Sequence, residues 1–434
     1  MNPEFRRQLW LQFSATRLAV LPLLLMACFV AVYLSSEEQP APALAVAGAV
    51  LFAVLVGGMG TLAAGASVMD EITDRTWDQQ RMSAMQPWAM TWGKLAGSSA
   101  YGWYGGALCL LVALPAAWMA EHRSLAPMLA LAGILSGVFL QALMMAVNLQ
   151  LAKTGGRLAR RSGVLALLLL FMWALGPLLG TLRGLSVIWW SLSFDRLDFT
   201  VASLALFALC ALGAAWRSMA EVLAVRQLPW GWPGLALVAT LYLAGFAPSQ
   251  PWAVLGAVGL GTCTLFTYFA LLAEPQPRPQ WQRVATRLSA HQWRAALLQL
   301  PRWPGTLVLA LPFAVLTALT LSQQDARLPW AWGEHFALQA LALVLIMARD
   351  CALALCFAFA PKSRRPLLAF VVLMVVLHGL LPWLLGSAGS NLLLRVAQPL
   401  LAGGALSLAI ATVHLAVALG VLRWRWLTST PGQR

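Results

Sequence analysis

Six charged side chains crowd into residues 70–81 of a chain in which only 10% of residues are charged. The six are Asp70, Glu71, Asp74, Arg75, Asp78 and Arg81. Each such charge costs about 3 kcal/mol at the centre of a bilayer. The segment must therefore lie in water, where a soluble protein can act on it. We call residues 67–94 the charged segment.

The elements around this segment are those of a membrane protein. The chain has 434 residues, 60% of them hydrophobic, and a mean hydropathy of +0.75. A spanning helix needs about 20 apolar residues, and the runs are continuous and not alternating, which favours helices over a barrel. We predict an all-α polytopic integral membrane protein with about twelve transmembrane helices. Their approximate limits are 17–35, 42–66, 95–119, 126–151, 162–181, 199–216, 232–248, 252–272, 304–322, 334–358, 366–386 and 398–422.

The distribution of positive charge predicts the orientation, since inner loops carry the Lys and Arg excess. With twelve spans, both termini share a side, and most of the 29 Lys and Arg residues fall on that side. The other side holds only Arg123, Arg183, Arg196, Arg327 and Arg395. Both termini and the charged segment are therefore expected in the cytoplasm.

Composition also excludes several classes of site. The net charge of +14 is spread over the inner loops, so no nucleic-acid partner is expected. The six Cys residues form no C-x-x-C pair and the five His residues are scattered, so we expect no metal site. Many Trp residues flank the apolar runs, as expected for anchors in membrane lipid.

Two surface helices are predicted. Asn2 and Pro3 are good N-cap and first-turn residues for a helix that carries Phe5, Leu9 and Phe13 on one face. A capping-box spacing from Ser289 to Gln292 precedes a similar stretch at 293–300. The similarity of these two surface helices predicts an internal repeat. The longest outer loop, about residues 182–198, is expected to hold a small interfacial or re-entrant helix.

The repeat would place a shortened counterpart of the charged segment at residues 349–365. Its charged members are Arg349, Asp350, Lys362, Arg364 and Arg365. Neighbouring side chains on a helix project about 100° apart, so adjacency alone does not pair Arg349 with Asp350. Either the span ends near residue 349, or neighbouring helices satisfy these charges, or they form a proton relay.

The charged segment resembles the inner loop of ABC type-2 exporter permeases. The resemblance rests on Glu71-Ile-Thr-Asp-Arg-Thr-Trp-Asp-Gln-Gln-Arg81, then Met85-Gln-Pro-Trp-Ala-Met-Thr-Trp-Gly-Lys94. In that family, an acidic residue, a short helix, a proline and a Gly-Lys pair form the coupling segment, which docks on a separate ATP-binding subunit. The first half of the chain is similar to the family's membrane subunit, and the second half is less so.

The resemblance implies a set of residues that contact the ATPase, carried on a short helix at about 73–84 that ends before Pro87. The set is Glu71, Asp74, Arg75, Trp77, Asp78, Arg81, Met82 and Pro87. Residues 349–365 would provide a second coupling element. The alternatives are two copies of this chain or one copy with both elements.

The chain has no G-x-x-x-x-G-K-[ST] phosphate loop, because Gly57–Gly60 and Gly386–Gly389 lack the following Lys. We therefore expect no catalytic site and no cofactor here, with ATP and Mg²⁺ bound by a cytosolic ABC ATPase subunit in two copies. The location implied is the bacterial cytoplasmic membrane. The units expected are 1–226 with six spans, 227–286 with two spans and an inner loop, and 287–434 as a degenerate second transmembrane unit with four spans.

Two other classes compete with this interpretation. A twelve-span secondary transporter of the major-facilitator class also carries an Asp-Arg pair after its second span, as Asp74 and Arg75 do here. Against it, the predicted spans hold few ionisable residues for ion coupling. A membrane-embedded enzyme on lipid-linked substrates would need clustered outer acids, whereas residues such as Asp195 and Asp198 are scattered among loops.

Overall fold

The computed structural model describes residues 2–74, 76–77, 80, 82–83, 85–120, 125–153, 186–225, 227–247, 251–322, 336–360 and 365–428. Within these ranges, ten helices are long and apolar enough to cross a membrane, which confirms the all-α polytopic fold. They are Ala15–Ser35, Pro40–Glu71, Ala100–Met119, Leu125–Leu151, Arg196–Val222, Trp252–Ala273, Trp303–Thr320, Ala337–Ala358, Pro366–Ser387 and Gly404–Thr428.

The chain divides into two compact units, residues 1–187 with 193–227 and residues 188–192 with 228–434. The helices of unit 1 are α1 (Pro3–Gln12), α2 (Ala15–Ser35), α3 (Pro40–Phe52), α4 (Gly60–Thr73), α5 (Pro87–Ser98), α6 (Ala100–Met119), α7 (Leu125–Lys153) and α8 (Arg196–Val222). A π-helical segment, Ala53–Met59, joins α3 to α4, so that the three form one span.

Unit 2 holds the remaining helices. They are α9 (Gly231–Ala244), α10 (Pro251–Ala273), α11 (Arg278–Ser289), α12 (Trp293–Leu297), α13 (Trp303–Ser322), α14 (Phe336–Ala358), α15 (Pro366–Val375), α16 (Leu381–Ser387), α17 (Asn391–Ala397) and α18 (Gly404–Thr428). A π-helical segment, Val376–Leu380, joins α15 to α16 within one span, and a 3₁₀ turn, Pro399–Leu401, precedes α18.

Two of the twelve predicted spans are not among these ten. The span predicted at 162–181 lies outside the described residues. The one predicted at 232–248 is the 14-residue helix α9. At 1.5 Å per residue it is about 21 Å long, shorter than the roughly 30 Å hydrocarbon layer.

The prediction of a small helix within residues 182–198 is wrong for the residues that the structure describes. Residues 186–195 form a β-hairpin with strands β1 (Ser186–Trp189) and β2 (Leu192–Asp195). The two turn residues, Trp190 and Ser191, have φ of 50° and 63°, the left-handed backbone that a two-residue hairpin turn requires. β-Branched and aromatic residues in β1 also favour a strand.

The predicted capping box at Ser289 is also wrong. Ser289 is the last residue of α11, and its hydroxyl donates to the Thr286 carbonyl oxygen at 2.8 Å. Helix α12 begins after Gln292, which makes no side-chain capping bond. Helix α11, which is not predicted from the sequence, begins upstream at Arg278 with a proline in its first turn, where proline lacks only an N–H that the helix does not use.

The π-helical segment Ala53–Met59 is held by side chains of two neighbouring helices. The Gln141 Nε2 on α7 donates to the Val56 carbonyl oxygen at 2.9 Å, and its Oε1 accepts from Trp103 Nε1 on α6 at 3.0 Å. A side chain at Gly60 would collide with Gln141, since an added Cβ would lie 2.5 Å from Nε2. A buried amide therefore satisfies the irregular turn inside the span.

Helix α1 lies against α5, and its predicted N-cap is confirmed. Asn2 Oδ1 accepts from the backbone N–H of Glu4 at 2.9 Å, and Asn2 Nδ2 donates to the Ala89 carbonyl oxygen at 2.5 Å. Gly93 and Gly97, one turn apart on α5, allow the close approach. An added Cβ would lie 3.1 Å from the Glu4 Cβ at Gly93 and 2.5 Å from the Gln8 Cβ at Gly97.

The glycine contact predicts opposite effects of two Gly→Ala substitutions on the thermal midpoint of unfolding in detergent. Gly97→Ala forces α1 away from α5 and should destabilise the protein by about 1–3 kcal/mol. Gly213→Ala on α8 meets no atom within 4 Å, so it should gain about 0.5–1 kcal/mol from helix propensity. Equal shifts in the two midpoints would contradict this packing.

Candidate functional site

Four charged side chains from three helices form one connected network in unit 1. Lys94 Nζ on α5 donates to Glu71 Oε2 on α4 at 2.5 Å and to Glu4 Oε1 on α1 at 2.9 Å. Arg7 Nη2 and Nε donate to the two oxygens of Glu4 at 2.9 and 3.0 Å, and Arg7 also donates to Glu71 Oε1. Two acids and two bases make the network neutral. We call it the α1–α4–α5 ion network.

Three members of this network, Lys94, Glu4 and Glu71, are buried, whereas Arg7 is 43% exposed. Lys94 has no exposed surface, and the side chains of Glu4 and Glu71 are 5% and 11% exposed. Gln8 Nε2 adds a hydrogen bond to Glu4 Oε1 at 3.0 Å. A buried charge that loses its partner is strongly destabilising, so the three helices are held together as one piece.

The charged segment enters the core of unit 1 through Trp77. Its ring is buried among Val68 on α4, Met90 and Leu95 on α5, and residues of α7 and α8. The Lys94 ammonium lies 5.6 Å from the centre of the ring, within the range of a cation–π contact. Trp77 is therefore packed inside unit 1 and is not a surface contact for a partner.

The other predicted coupling residues divide by exposure. Asp74 is exposed at the end of α4, and Met82 is 80% exposed. Pro87 opens α5. Arg75, Asp78 and Arg81 lie outside the described residues, as do other parts of the helix expected at 73–84.

The predicted second coupling element does not form a charged surface loop where the structure describes it. Arg349 and Asp350 are buried in the middle of α14, at 5% and 0% exposure. Of the charged members that the structure describes, only Arg365, the exposed residue before α15, lies outside a helix. Lys362 and Arg364 lie outside the described residues. Arg349 and Asp350 are therefore not accessible to a soluble partner.

Arg349 and Asp350 pair with each other although they are adjacent on α14, contrary to the expectation from their positions on the helix. Arg349 Nε donates to Asp350 Oδ1 at 2.8 Å, and Arg349 Nη2 lies 2.7 Å from the same oxygen as an ion pair. The long arginine side chain folds back across the 100° separation of the two Cβ atoms. In an apolar interior, pairing with the nearest carboxylate offsets part of the cost of burying two isolated charges.

Neighbouring helices complete a second cluster around this pair, inside unit 2. Tyr268 on α10 donates its hydroxyl to Asp350 Oδ2 at 2.6 Å. His378 Nε2, from the π-helical segment, lies 3.0 Å from both Asp350 Oδ2 and Arg349 Nη2. His414 Nδ1 on α18 lies 3.3 Å from Arg349 Nη1. We call these five residues the Arg349–Asp350 cluster.

Sequence reasoning missed Glu4, Gln8 and Arg7 as partners of the charged segment, and missed the histidines of unit 2. The spacing of Glu4 to Arg7 and to Gln8 would have placed the three on one helix face. Nothing in the sequence relates Glu4 to Lys94, because their contact spans 90 residues. Likewise, Tyr268 and His414 reach Arg349 and Asp350 only through tertiary packing.

Within the described ranges, no group of three or more His, Cys, Asp and Glu side chains is arranged to hold a metal ion. The fold and the two charge clusters define the class of this chain as an all-α, multi-pass membrane protein. Comparisons with family models, curated proteins and solved structures found no match to it.

The ion network predicts strong coupling between Lys94 and Glu71 in a double-mutant cycle. Lys94→Met leaves two buried carboxylates with a single cation and should cost about 3–5 kcal/mol of unfolding free energy in detergent. Adding Glu71→Gln leaves the neutral pair of Glu4 and Arg7 and should recover part of that loss. The exposed Arg6→Met is the control, expected within about 0.5 kcal/mol of wild type. Additive losses would contradict the network.

The network also predicts acid sensitivity. Burial by itself would raise the pKa of Glu4, but hydrogen bonds from Arg7 and the charge of Lys94 outweigh it and hold this pKa below its ordinary value. The unfolded chain, with a pKa of about 4.3, then binds protons more readily than the folded protein. The stabilisation by Glu4 is therefore complete above that value and is lost as the pH falls through the lower folded pKa.

This acid sensitivity can be measured as the thermal midpoint between pH 6 and pH 3. Glu4→Gln should flatten the fall in the thermal midpoint below about pH 4.3. Glu37 is an exposed carboxylate in the loop after α2, and Glu37→Gln should leave that fall unchanged. An unchanged acid limb in Glu4→Gln would contradict the assignment.

Proposed function

We propose that this chain is the membrane subunit of an ATP-driven exporter in the bacterial cytoplasmic membrane, and that a separate cytosolic ATPase docks on its charged segment. The observation that carries the proposal is the α1–α4–α5 ion network. It joins the end of the second span, at Glu71, to Lys94 in α5, the helix that precedes the third span. The exposed part of the segment lies between these fixed ends.

This arrangement suits transmission of force from a soluble partner. Trp77, buried in the unit 1 core, and Lys94, wholly buried, hold the segment against the membrane-spanning helices. A displacement at Asp74 or Met82 would be passed to the span Pro40–Glu71, because the intervening contacts are packed and ion-paired. ATP binding can shift the spans only if the ATPase binds one arrangement of this segment better than the other.

The exposed chemistry of the segment suits protein docking. Asp74 offers a carboxylate, and Met82 a flexible apolar side chain that adapts to a partner surface. Hydrolysis of ATP belongs to the partner in this proposal, because the chain has no phosphate loop of its own. Burial of Arg349 and Asp350 favours two copies of this chain over one, since it removes two residues from the second coupling element.

The proposal predicts that charge reversal and a bulky cation on this surface release the ATPase. The tagged full-length chain should co-purify with a cytosolic protein that has a phosphate loop and hydrolyses MgATP. Asp74→Lys combined with Met82→Lys should lower the bound ATPase and its activity by about tenfold, equivalent to 1.4 kcal/mol. A photo-crosslinking residue at position 82 should form an adduct with the same protein.

The matched control is Glu38→Lys, a charge reversal at an exposed residue in the loop between α2 and α3. It should retain the ATPase. Equal retention by both variants, or an adduct from position 38 but not 82, would contradict docking on the charged segment. A chain that binds no ATPase and moves substrate in a proton or sodium gradient would instead favour the twelve-span secondary transporter. The charges of the Arg349–Asp350 cluster favour that second function.

A further inference from the structure

One nitrogen of His378 lies within hydrogen-bonding distance of a donor and of an acceptor, and it cannot bond to both in the same protonation state. Its Nε2 atom lies 3.0 Å from Arg349 Nη2, which can only donate a hydrogen bond, and 3.0 Å from Asp350 Oδ2, which accepts one. If Nε2 carries a lone pair, it accepts from Arg349. If it carries a proton, it donates to Asp350. The two hydrogen bonds cannot exist together, and a single proton on Nε2 decides between them.

The surrounding groups define the charge of each state. Arg349 and Asp350 form a neutral pair through Asp350 Oδ1. Tyr268 occupies one lone pair of Asp350 Oδ2 at 2.6 Å and leaves the other toward His378. On the far side of Arg349, His414 Nδ1 lies 3.3 Å from Nη1, where its lone pair can accept. A proton on His378 therefore adds one positive charge beside a carboxylate that has a free acceptor site.

His378 has far more exposed side-chain surface than its two partners. Its side chain is 42% exposed, in contrast to 7% for Arg349 and 0% for Asp350. The charged and titratable groups that face it are Arg349 and Asp350 from α14. Tyr268 from α10 and His414 from α18 act on it through those two. Gln398, after α17, contacts only its backbone.

The backbone at His378 is adapted to carry this side chain. Pro382 lies four residues later and has no N–H, so the His378 carbonyl lacks its usual α-helical donor. The helix widens to a π turn over Val376–Leu380, and Gln398 Nε2 donates to the His378 carbonyl oxygen at 3.2 Å. π-Helical turns of this kind occur frequently at functional sites.

We propose that His378 and Asp350 form a proton-binding site within the membrane-embedded part of unit 2. The His378 Nε2 lone pair takes a proton from a hydronium ion, which leaves as water. The imidazole becomes a cation with an N–H on both nitrogens, and Nε2 exchanges its contact with Arg349 for one with Asp350. Arg349 keeps the hydrogen bond from Nε and the ion pair from Nη2 to Asp350 Oδ1. Because His378 lies on the π turn, the exchange of contacts changes which packing of the span Pro366–Ser387 against α14 is favoured.

The site is tested by nuclear magnetic resonance of the full-length chain in lipid nanodiscs, with ¹⁵N-labelled histidine, between pH 5 and pH 8.5. The nitrogen resonances that are absent from the spectrum of His378→Gln are assigned to His378. At high pH they should report a neutral imidazole with the proton on Nδ1, and at low pH a cation. In Asp350→Asn, which removes the attracting charge, proton affinity should fall about tenfold or more, a shift of at least about one pH unit in the midpoint.

A second variant keeps the test decisive if Asp350→Asn does not fold. Tyr268→Phe keeps every charge but frees a lone pair of Asp350 Oδ2, so the midpoint of His378 should rise. His291→Asn, at an exposed residue between α11 and α12, is the control and should leave the His378 resonances unchanged. The proposal is overturned if His378 stays neutral over this pH range, if it only changes tautomer, or if neither variant that folds moves its midpoint.

Discussion

Lys94 is a cation with no exposed surface in a protein that is mostly apolar, and the organisation of unit 1 depends on how its charge is neutralised. Two carboxylates do so, one from the N-terminal helix and one from the end of the second span. A low-dielectric interior makes an unpaired charge far more costly than in water, so the three helices that supply the groups cannot separate cheaply. The ends of the charged segment are thereby fixed.

The same constraint is met differently in unit 2. There the acid and base are neighbours on one helix, and a tyrosine and two histidines from other helices satisfy the remaining hydrogen-bonding groups. The network in unit 1 consists of carboxylates, an ammonium and a guanidinium, which suits a permanent mechanical link. The cluster in unit 2 includes imidazoles, the side chains that proteins most often use as proton-dependent switches.

Local signals in the sequence predicted much of this fold. Continuous apolar runs identified the membrane-spanning helices, and Asn2 with Pro3 correctly placed the start of α1. Ser289 failed as a cap because a proline in the first turn starts α11 upstream, so that Ser289 ends that helix. At Trp190 and Ser191, the hairpin depends on left-handed backbone that non-glycine residues rarely adopt, and no composition rule would suggest it.

The sites themselves were less predictable than the spans. The charged segment stood out because charge is rare in this chain, but its anchoring by Glu4 joins residues 90 positions apart. Arg349 and Asp350 were visible as charges inside an apolar run, whereas their partners Tyr268 and His414 looked like isolated residues of other helices. Pairing of this kind is decided by which helices pack together, and a single sequence carries little information about that.

A cryo-electron microscopy map of the full chain with the proposed ATPase, in lipid nanodiscs, tests the central claim most directly. We predict ATPase density on the surface that exposes Asp74 and Met82, with α1 docked on α5 and Lys94 between Glu4 and Glu71. ATPase density at the opposite end of the spans, or a charged segment that contacts nothing in the assembled complex, would contradict it.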